Sequence, residues 1–128
     1  MGRTVREKLR SGGELVICGS DMRIEYFFPG PDKRYGGSRM TVNGRDIPEY
    51  IKALKENWNI YEEIKRDPDR QLVSRFGNKG MLIRNGVMGG LYMKPGHFRI
   101  AEEEQLAQLI SDYEYCYTRY INEVRGHS

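Results

Sequence analysis

Few side chains in this sequence have the types and spacing that catalysis or metal binding requires. His97 is the one histidine away from the chain end, and the two cysteines, Cys18 and Cys116, lie far from it in the sequence. No pair of these residues has a spacing known from metal sites. Cys18 ends an apolar run and Cys116 lies among tyrosines, so both are expected to be small buried hydrophobes rather than reactive thiols. We therefore expect a protein that is not an enzyme and binds no metal or cofactor.

A lysine bracketed by glycines offers a second kind of chemistry. The segment Gly77-Asn78-Lys79-Gly80 could bind a phosphate with its backbone N–H groups and the Lys79 cation. It has neither the spacing of the P-loop nor the dinucleotide-binding pattern. A tight turn between two strands explains the same four residues without any ligand. Both interpretations stay open at the level of sequence.

The strongest signal in the sequence is the distribution of charge. The net charge of the 128 residues is only +3, but segments of opposite sign contribute to it. Residues 70–99 contain six Lys or Arg and no Asp or Glu, and residues 1–45 carry a net charge of +4. Residues 46–69 and 100–128 carry −3 and −4. The positive segments contain the expected strands and loops, whereas the negative segments contain two expected helices.

Cations without nearby carboxylates indicate a surface for an anionic ligand. Phosphate backbones attract such surfaces and release counterions on binding, and aromatic side chains among the cations can stack on bases. The alternative is that these cations merely offset the acidic helices, because helices accept Glu well and exposed strands accept Arg. The candidate residues for binding nucleic acid or another polyanion are Lys33, Arg34, Tyr35, Arg39, Arg75, Lys79, Arg84, Lys94 and Arg99.

The acidic helix faces favour a different function, in which the protein acts on another protein. A protein-interaction module or inhibitor would present these faces to its partner. The tyrosine-rich segment 101–125 could also form a homodimer, and the sequence does not separate that from packing in the core. The candidate residues for the protein interaction are Glu56, Glu62, Glu63, Glu102, Glu103 and Asp112.

Two long amphipathic helices are expected to support these surfaces. In the first, Asp46 can cap, Pro48 fits the first turn and Glu49 has the capping-box spacing. This helix is expected to end near Arg66, and the second is expected to begin near Ala101. Each helix has one apolar stripe: Ile47, Ile51, Leu54, Trp58 and Tyr61 in the first, and Leu106, Leu109, Ile110, Tyr113, Tyr117, Tyr120, Ile121 and Val124 in the second.

Apolar runs bounded by turn residues predict the strands. Residues 14–28 are expected to form a β-hairpin, and residues 29–38 a loop that is longer than the usual ~4–6 residues. Further strands are expected at residues 39–42, 71–76, 81–84 and 91–93, and a short helix from Thr4 to Arg10. The predicted element order is (α)βββ–α–ββ(β)–α.

Length and composition favour one small α+β domain spanning residues 1–128. Nine Tyr, four Phe and one Trp are too many aromatic residues for a disordered chain. No apolar run approaches the ~18–20 residues that a membrane span requires, and two cysteines exclude a disulfide-rich secreted scaffold. We expect a cytoplasmic protein with a mainly antiparallel sheet of about five strands and both long helices on one face of that sheet.

One helix resembles a segment of a known group of proteins. Residues 50–59, with the sequence YIKALKENWN, are similar to an aromatic-apolar-Lys-Asn-x-Trp run in some anti-CRISPR proteins, which phages and mobile elements encode. Many proteins of this kind are compact α+β domains whose acidic surfaces occupy the nucleic-acid site of a nuclease. The resemblance covers about one helix of this chain. It implies an inhibitor of a nucleic-acid-processing protein and assigns no functional residue.

Overall fold

The chain folds into two antiparallel sheets and two long helices. The computed structural model of the protein describes residues 4–10, 12–19, 21–28, 38–66, 72–93 and 98–124. The predicted α+β class and the antiparallel pairing are confirmed. The prediction of one sheet of about five strands is wrong, because eight strands form two separate four-stranded sheets. The observed element order is ββββ–α–ββββ–α.

The first sheet is a meander of consecutive strands. Its strands are β1 (Thr4–Lys8), β2 (Glu14–Cys18), β3 (Asp21–Phe28) and β4 (Ser38–Asn43), in that order. The predicted hairpin at residues 14–28 is confirmed as β2 and β3. One inward row consists of Leu15, Ile24 and Val42, which are neighbours in register and no more than 1% exposed.

The short helix predicted from Thr4 to Arg10 is instead the edge strand β1. A helix of this length has few hydrogen bonds to offset its nucleation cost, whereas β1 pairs along its whole length with β2. Its Glu7 also accepts hydrogen bonds from Tyr115 Oη at 2.8 Å and from Arg119 Nη1 at 2.6 Å. Hydrogen bonds from Arg119 to Glu123, Tyr115 and Glu7 raise the pKa of its guanidinium. These contacts fix β1 to the last helix.

The second sheet repeats the meander with shorter strands. Its strands are β5 (Ser74–Phe76), β6 (Leu82–Arg84), β7 (Gly90–Met93) and β8 (Phe98–Ile100), in that order. The sequence did not predict β8, which pairs with β7 alone. Ile83, Leu91 and Ile100 are neighbours in register and are fully buried, so they define the inner face of this sheet.

The two predicted helices are present as α1 (Ile47–Lys65) and α2 (Glu103–Glu123). Pro48 lies in the first turn of α1, as expected, but Asp46 makes no capping bond with its side chain. The capping box is found at α2 instead, where Glu102 and Gln105 bond to each other's backbone N–H groups. Among the described residues, no helix combines the length and the apolar character needed to cross a bilayer.

One hydrophobic cluster joins both sheets to both helices. From α1 it includes Leu54 and Trp58, and from α2 it includes Leu109 and Tyr113. The ring of Tyr120 lies so close to Gly44, in the 3-10 turn before α1, that a Cβ atom there would come within 2.5 Å of it. The apolar stripe of α2 is therefore largely used for packing within the chain.

Candidate nucleic-acid interface

The outer face of the second sheet carries a row of residues that the core does not use. Because Ile83 faces inward, its neighbours Leu82 and Arg84 point to the other side of the sheet. The strand pairing extends this outer row across all four strands, in the order Phe76, Leu82, Tyr92 and Arg99. Arg84 lies on the same face of the sheet, opposite Ser74 and Gly90. We call Phe76, Leu82, Arg84, Tyr92 and Arg99 the outer row.

Two arginines of the outer row differ in how they are held. Arg99 is half-buried, and its Nε donates a hydrogen bond to the Gly89 carbonyl at 2.9 Å. That bond orients the guanidinium, and its two terminal nitrogens have no partner among the residues that the structure describes. Arg84 is half-buried too, and within the described part of the chain it has no hydrogen bond and no carboxylate partner. Both cations can therefore accept an anionic ligand without first losing an ion pair.

The aromatic residues of the outer row are accessible to different degrees. The Tyr92 hydroxyl donates to the Met88 carbonyl, which holds this half-buried ring against the sheet. Phe76 lies on the edge strand β5 and is 76% exposed. Large aromatic side chains are mostly buried in folded proteins. An exposed phenylalanine on the same face as Arg84, which has no partner among the described residues, is therefore the least expected feature of this face.

Arg75 does not join the outer row. It lies opposite Ile83 in register, so its side chain leaves the edge strand on the other side of the sheet from Phe76. It is exposed, and it makes no ion pair with any residue that the structure describes. The sequence grouped Arg75 with the cations of residues 70–99 but could not assign its side of the sheet.

Lys79 is neutralised by the first helix. Its Nζ lies 2.8 Å from Glu49 Oε2, and this hydrogen bond raises the pKa of Lys79 and lowers the pKa of Glu49. Lys79 also has a left-handed backbone with φ of 58°. The expected capping role of Glu49 is thus replaced by an ion pair across 30 residues of sequence.

The glycine-bracketed turn is fully explained by internal bonds. The side chain of Asn57 accepts from the backbone N–H of Asn78 at 2.8 Å and donates to its carbonyl at 2.9 Å. The Gly77 N–H donates to the Met81 carbonyl at 2.7 Å. A Cβ atom on Gly77 would come within 2.3 Å of the Asn57 side chain. These groups form a connection between β5 and β6, so the turn interpretation is the one that the structure favours over a phosphate cradle.

Several predicted binding residues lie outside the described part of the chain. Lys33, Arg34, Tyr35 and Lys94 are not among the described residues. Arg39 lies in β4, where it pairs in register with Phe27, and the structure does not describe its side chain. Their part in binding stays a prediction.

The outer face of the first sheet has arginines as well, but these have carboxylate partners. Arg23 Nε lies 2.7 Å from Glu25, and Arg6 lies 3.4 Å from Glu14 and 3.8 Å from Glu25. The hydrogen bond that Arg23 donates to Glu25 raises the pKa of the Arg23 guanidinium. Between these arginines, Val16 is fully buried. The cations of this face therefore form a closed network rather than a binding surface.

Three of the six acidic candidates come together at one end of the helices. Glu62 and Glu63 from α1 and Glu103 from α2 line a groove of about 480 Å³ with Trp58 and Arg66. The other three candidates are separate from it. Glu56 accepts a hydrogen bond from Asn78, Glu102 caps α2, and Asp112 is buried beside Gln108.

The cysteines differ from each other in burial. Cys116 is fully buried, as predicted, and burial raises the pKa of its thiol to about 12. Cys18 is exposed at the end of β2, so the expectation that it is buried is wrong. No three His, Cys, Asp or Glu side chains come close enough to hold a metal ion within the described ranges.

Sequence reasoning missed Phe76 as a surface residue. The sequence predicted a strand over residues 71–76, but β5 has only three residues and all of them are exposed. Comparison of the chain with models of protein families, with curated proteins and with solved structures finds no match.

Proposed function

We propose that the protein binds nucleic acid without catalysis, through the outer row of the second sheet. The observation that carries the proposal is the state of Arg84, which lies on a carboxylate-free sheet face and has no partner among the described residues. Arg99 stands on the same face with its guanidinium oriented by Gly89. Guanidinium groups form paired hydrogen bonds with phosphate oxygens.

Charge supports a polyanion as the ligand. Residues 70–99 have six cations and no carboxylate, so bound phosphates would meet no repulsion from their own segment. Releasing the counterions of a phosphate backbone supplies much of the binding free energy. The proposal places the protein in the cytoplasm, where nucleic acid is abundant and the thiols of Cys18 and Cys116 remain reduced.

The test is binding of a labelled 20-nucleotide single strand, measured by fluorescence anisotropy at several salt concentrations. We expect the logarithm of the affinity to fall linearly with the logarithm of the salt concentration. Arg84→Glu should weaken binding at least about tenfold and reduce the magnitude of the salt slope by about 0.7 for one lost phosphate contact.

The matched control is Lys55→Glu, which makes the same change of charge on an exposed position of α1. It should weaken binding much less than Arg84→Glu. Equal losses in the two variants would mean that net charge alone drives binding. Absence of binding at 50 mM salt would refute the proposal.

The convergence of Glu62, Glu63 and Glu103 supports an alternative proposal, an inhibitor that acts on a nucleic-acid-processing protein. The groove between these residues would accept a basic segment of the partner. This alternative expects a stable complex at moderate salt that Glu62→Lys disrupts and Arg84→Glu leaves intact. The reverse pattern, with oligonucleotide binding lost in Arg84→Glu only, would exclude it.

A further inference from the structure

Exposed apolar side chains concentrate around the outer row. Seven large hydrophobic residues are exposed within the described part of the chain, and four of them come from residues 72–88. These four are Leu72, Phe76, Val87 and Met88, with exposures of 68%, 76%, 96% and 53%. Leu72 also approaches Gly86, beside Val87 and Met88, because a Cβ atom on that glycine would lie 3.1 Å from Leu72 Cδ1.

Phe76 is the member of this group that shares a face with the arginines. It lies opposite Leu82, and Arg84 lies diagonally across from it, at a separation of about 7–8 Å. Tyr92 is two strands away, at about 10 Å. Arg99 is three strands away, at about 14 Å. The Phe76 ring thus lies on an open surface with Arg84 as the nearer arginine of the outer row, and the fold gains little from keeping it there.

We infer that the nucleic acid bound by the outer row is single-stranded, and that one of its bases stacks on the Phe76 ring while Arg84 and Arg99 contact the flanking phosphates. This inference rests on the proposed function. The charge of the face argues for a phosphate-bearing occupant, and the exposed ring argues for unpaired bases. Every base has a π face, so such stacking tolerates any sequence.

A duplex does not satisfy the same face. Its bases stack on each other and present only their edges in the grooves, so the Phe76 ring would meet sugars and phosphates. A ring among phosphates gains no stacking and stays partly hydrated. The flat outer row also lacks the protruding helix or two-stranded ribbon that enters a major groove.

The experiment compares three labelled ligands of equal length: a single strand, the corresponding duplex and an abasic strand with the same phosphates but no bases. Wild type should bind the single strand most tightly. Phe76→Ala should weaken that binding by about 5- to 100-fold, the range measured for the loss of one stacked base. The same variant should leave the affinity for the abasic strand unchanged, and Phe76→Trp should restore single-strand binding.

Val87→Ala is the matched control, because it removes an even more exposed apolar side chain outside the outer row. It should change no affinity by more than about twofold. Equal binding of the abasic and intact strands would overturn the inference and leave the proposed function standing, whereas no binding of any ligand would overturn both. A dimer of wild type that Phe76→Ala converts to a monomer would show that the face joins two copies, and a preference for the duplex would equally refute the inference.

Discussion

The two halves of the molecule share a topology but differ in what their sheets present to solvent. Each half is a four-stranded meander followed by a helix. On the first sheet, Arg6 and Arg23 are paired with Glu14 and Glu25. On the second sheet, Arg84 has no such partner within the described residues. The same backbone arrangement therefore carries a neutralised face in one half and a cationic face in the other.

The difference teaches that the net charge of a segment does not decide whether a cation is available; the carboxylates that the segment contains, and the strand register that brings them to the cations, decide it. Residues 1–45 and 70–99 are both net positive. In the first segment the strand pairing brings Glu14 next to Glu25 and places Arg6 and Arg23 in the neighbouring row of the same face. The second segment contains no carboxylate. Among its described cations only Lys79 forms an ion pair, and its partner is Glu49 of α1.

Asn57 binds the turn between β5 and β6, and its substitution should lower the stability of the protein more than the other substitutions below. Asn57→Ala removes two hydrogen bonds from a fully buried side chain and leaves the backbone N–H of Asn78 without the partner it has in wild type, while the Asn78 carbonyl keeps only its bond from the Met81 N–H among the described residues. We expect the free energy of unfolding to fall by about 2–4 kcal/mol, measured by urea denaturation.

Asn59→Ala, at an exposed position of the same helix, is the control and should change stability by less than about 0.5 kcal/mol. Hydrogen exchange should show faster opening of residues 74–84 in Asn57→Ala, while residues 14–28 stay protected. Uniformly faster exchange in both halves would contradict the view that Asn57 serves the second half specifically.

Val16 and Phe76 offer a direct contrast between the two outer faces. Val16 is 0% exposed, and Phe76 is 76% exposed. Val16→Ala should cost about 2 kcal/mol, because two buried methyl groups are lost and a cavity is left. Phe76→Ala removes far more atoms but should cost less than about 0.5 kcal/mol. Denaturation of both variants under one condition tests whether the smaller truncation costs more stability. Similar losses in the free energy of unfolding would mean that the Phe76 ring is packed in solution.

Alanine substitutions at Arg23 and Arg84 should show a smaller difference in stability, again with the larger loss on the first sheet. Arg23 pairs with Glu25, whose side chain is only 13% exposed, so Arg23→Ala removes the shorter of two ion pairs from a partly buried carboxylate and leaves it the one with Arg6 at 3.8 Å. We expect a loss of about 1 kcal/mol for Arg23→Ala and less than about 0.5 kcal/mol for Arg84→Ala. Oligonucleotide binding should be weakened more by Arg84→Ala than by Arg23→Ala. A double-mutant cycle with Glu25→Gln would isolate the pair, and a coupling near zero would refute the closed network.

Local patterns in the sequence predicted the helices well. The steps of three and four from Ile47 to Tyr61 require no distant partner to be recognised, and α1 and α2 were both found. The strand β1 was missed because Val5 and Leu9 also have helical spacing, and only pairing with β2 decides between the two structures. The three-residue strand β8 exists because β7 offers it an edge.

The candidate site was predictable only as a set of cations. Composition identified Arg84 and Arg99, but the distribution of residues over two sheets depends on contacts between distant parts of the chain. The same limit applies to Lys79, whose partner Glu49 precedes it by 30 residues. Phe76 escaped notice because an isolated apolar residue in a short polar strand gives no periodic signal.

Breaking the ion pair of Glu49 and Lys79 should change the stability least, and the sign of its pH dependence follows from the two pKa shifts. The hydrogen bond with Lys79 lowers the pKa of Glu49 below its usual 4.5, so the stability that this group contributes is present above that pH and is lost as the pH falls. The pKa of Lys79 is raised above its usual 10.5, so its contribution is present below that pH and is lost only as the pH rises through the raised value.

Glu49→Gln should therefore lower the thermal midpoint slightly at pH 7 and leave it unchanged at pH 3, measured by circular dichroism. Both groups are exposed, so 0.5 M salt should remove most of the difference at pH 7. The variant also releases the Lys79 cation, which should modestly strengthen oligonucleotide binding if that cation lies within reach of the outer row. A midpoint difference that persists at pH 3 would mean that Glu49 stabilises the fold by packing instead of by its charge.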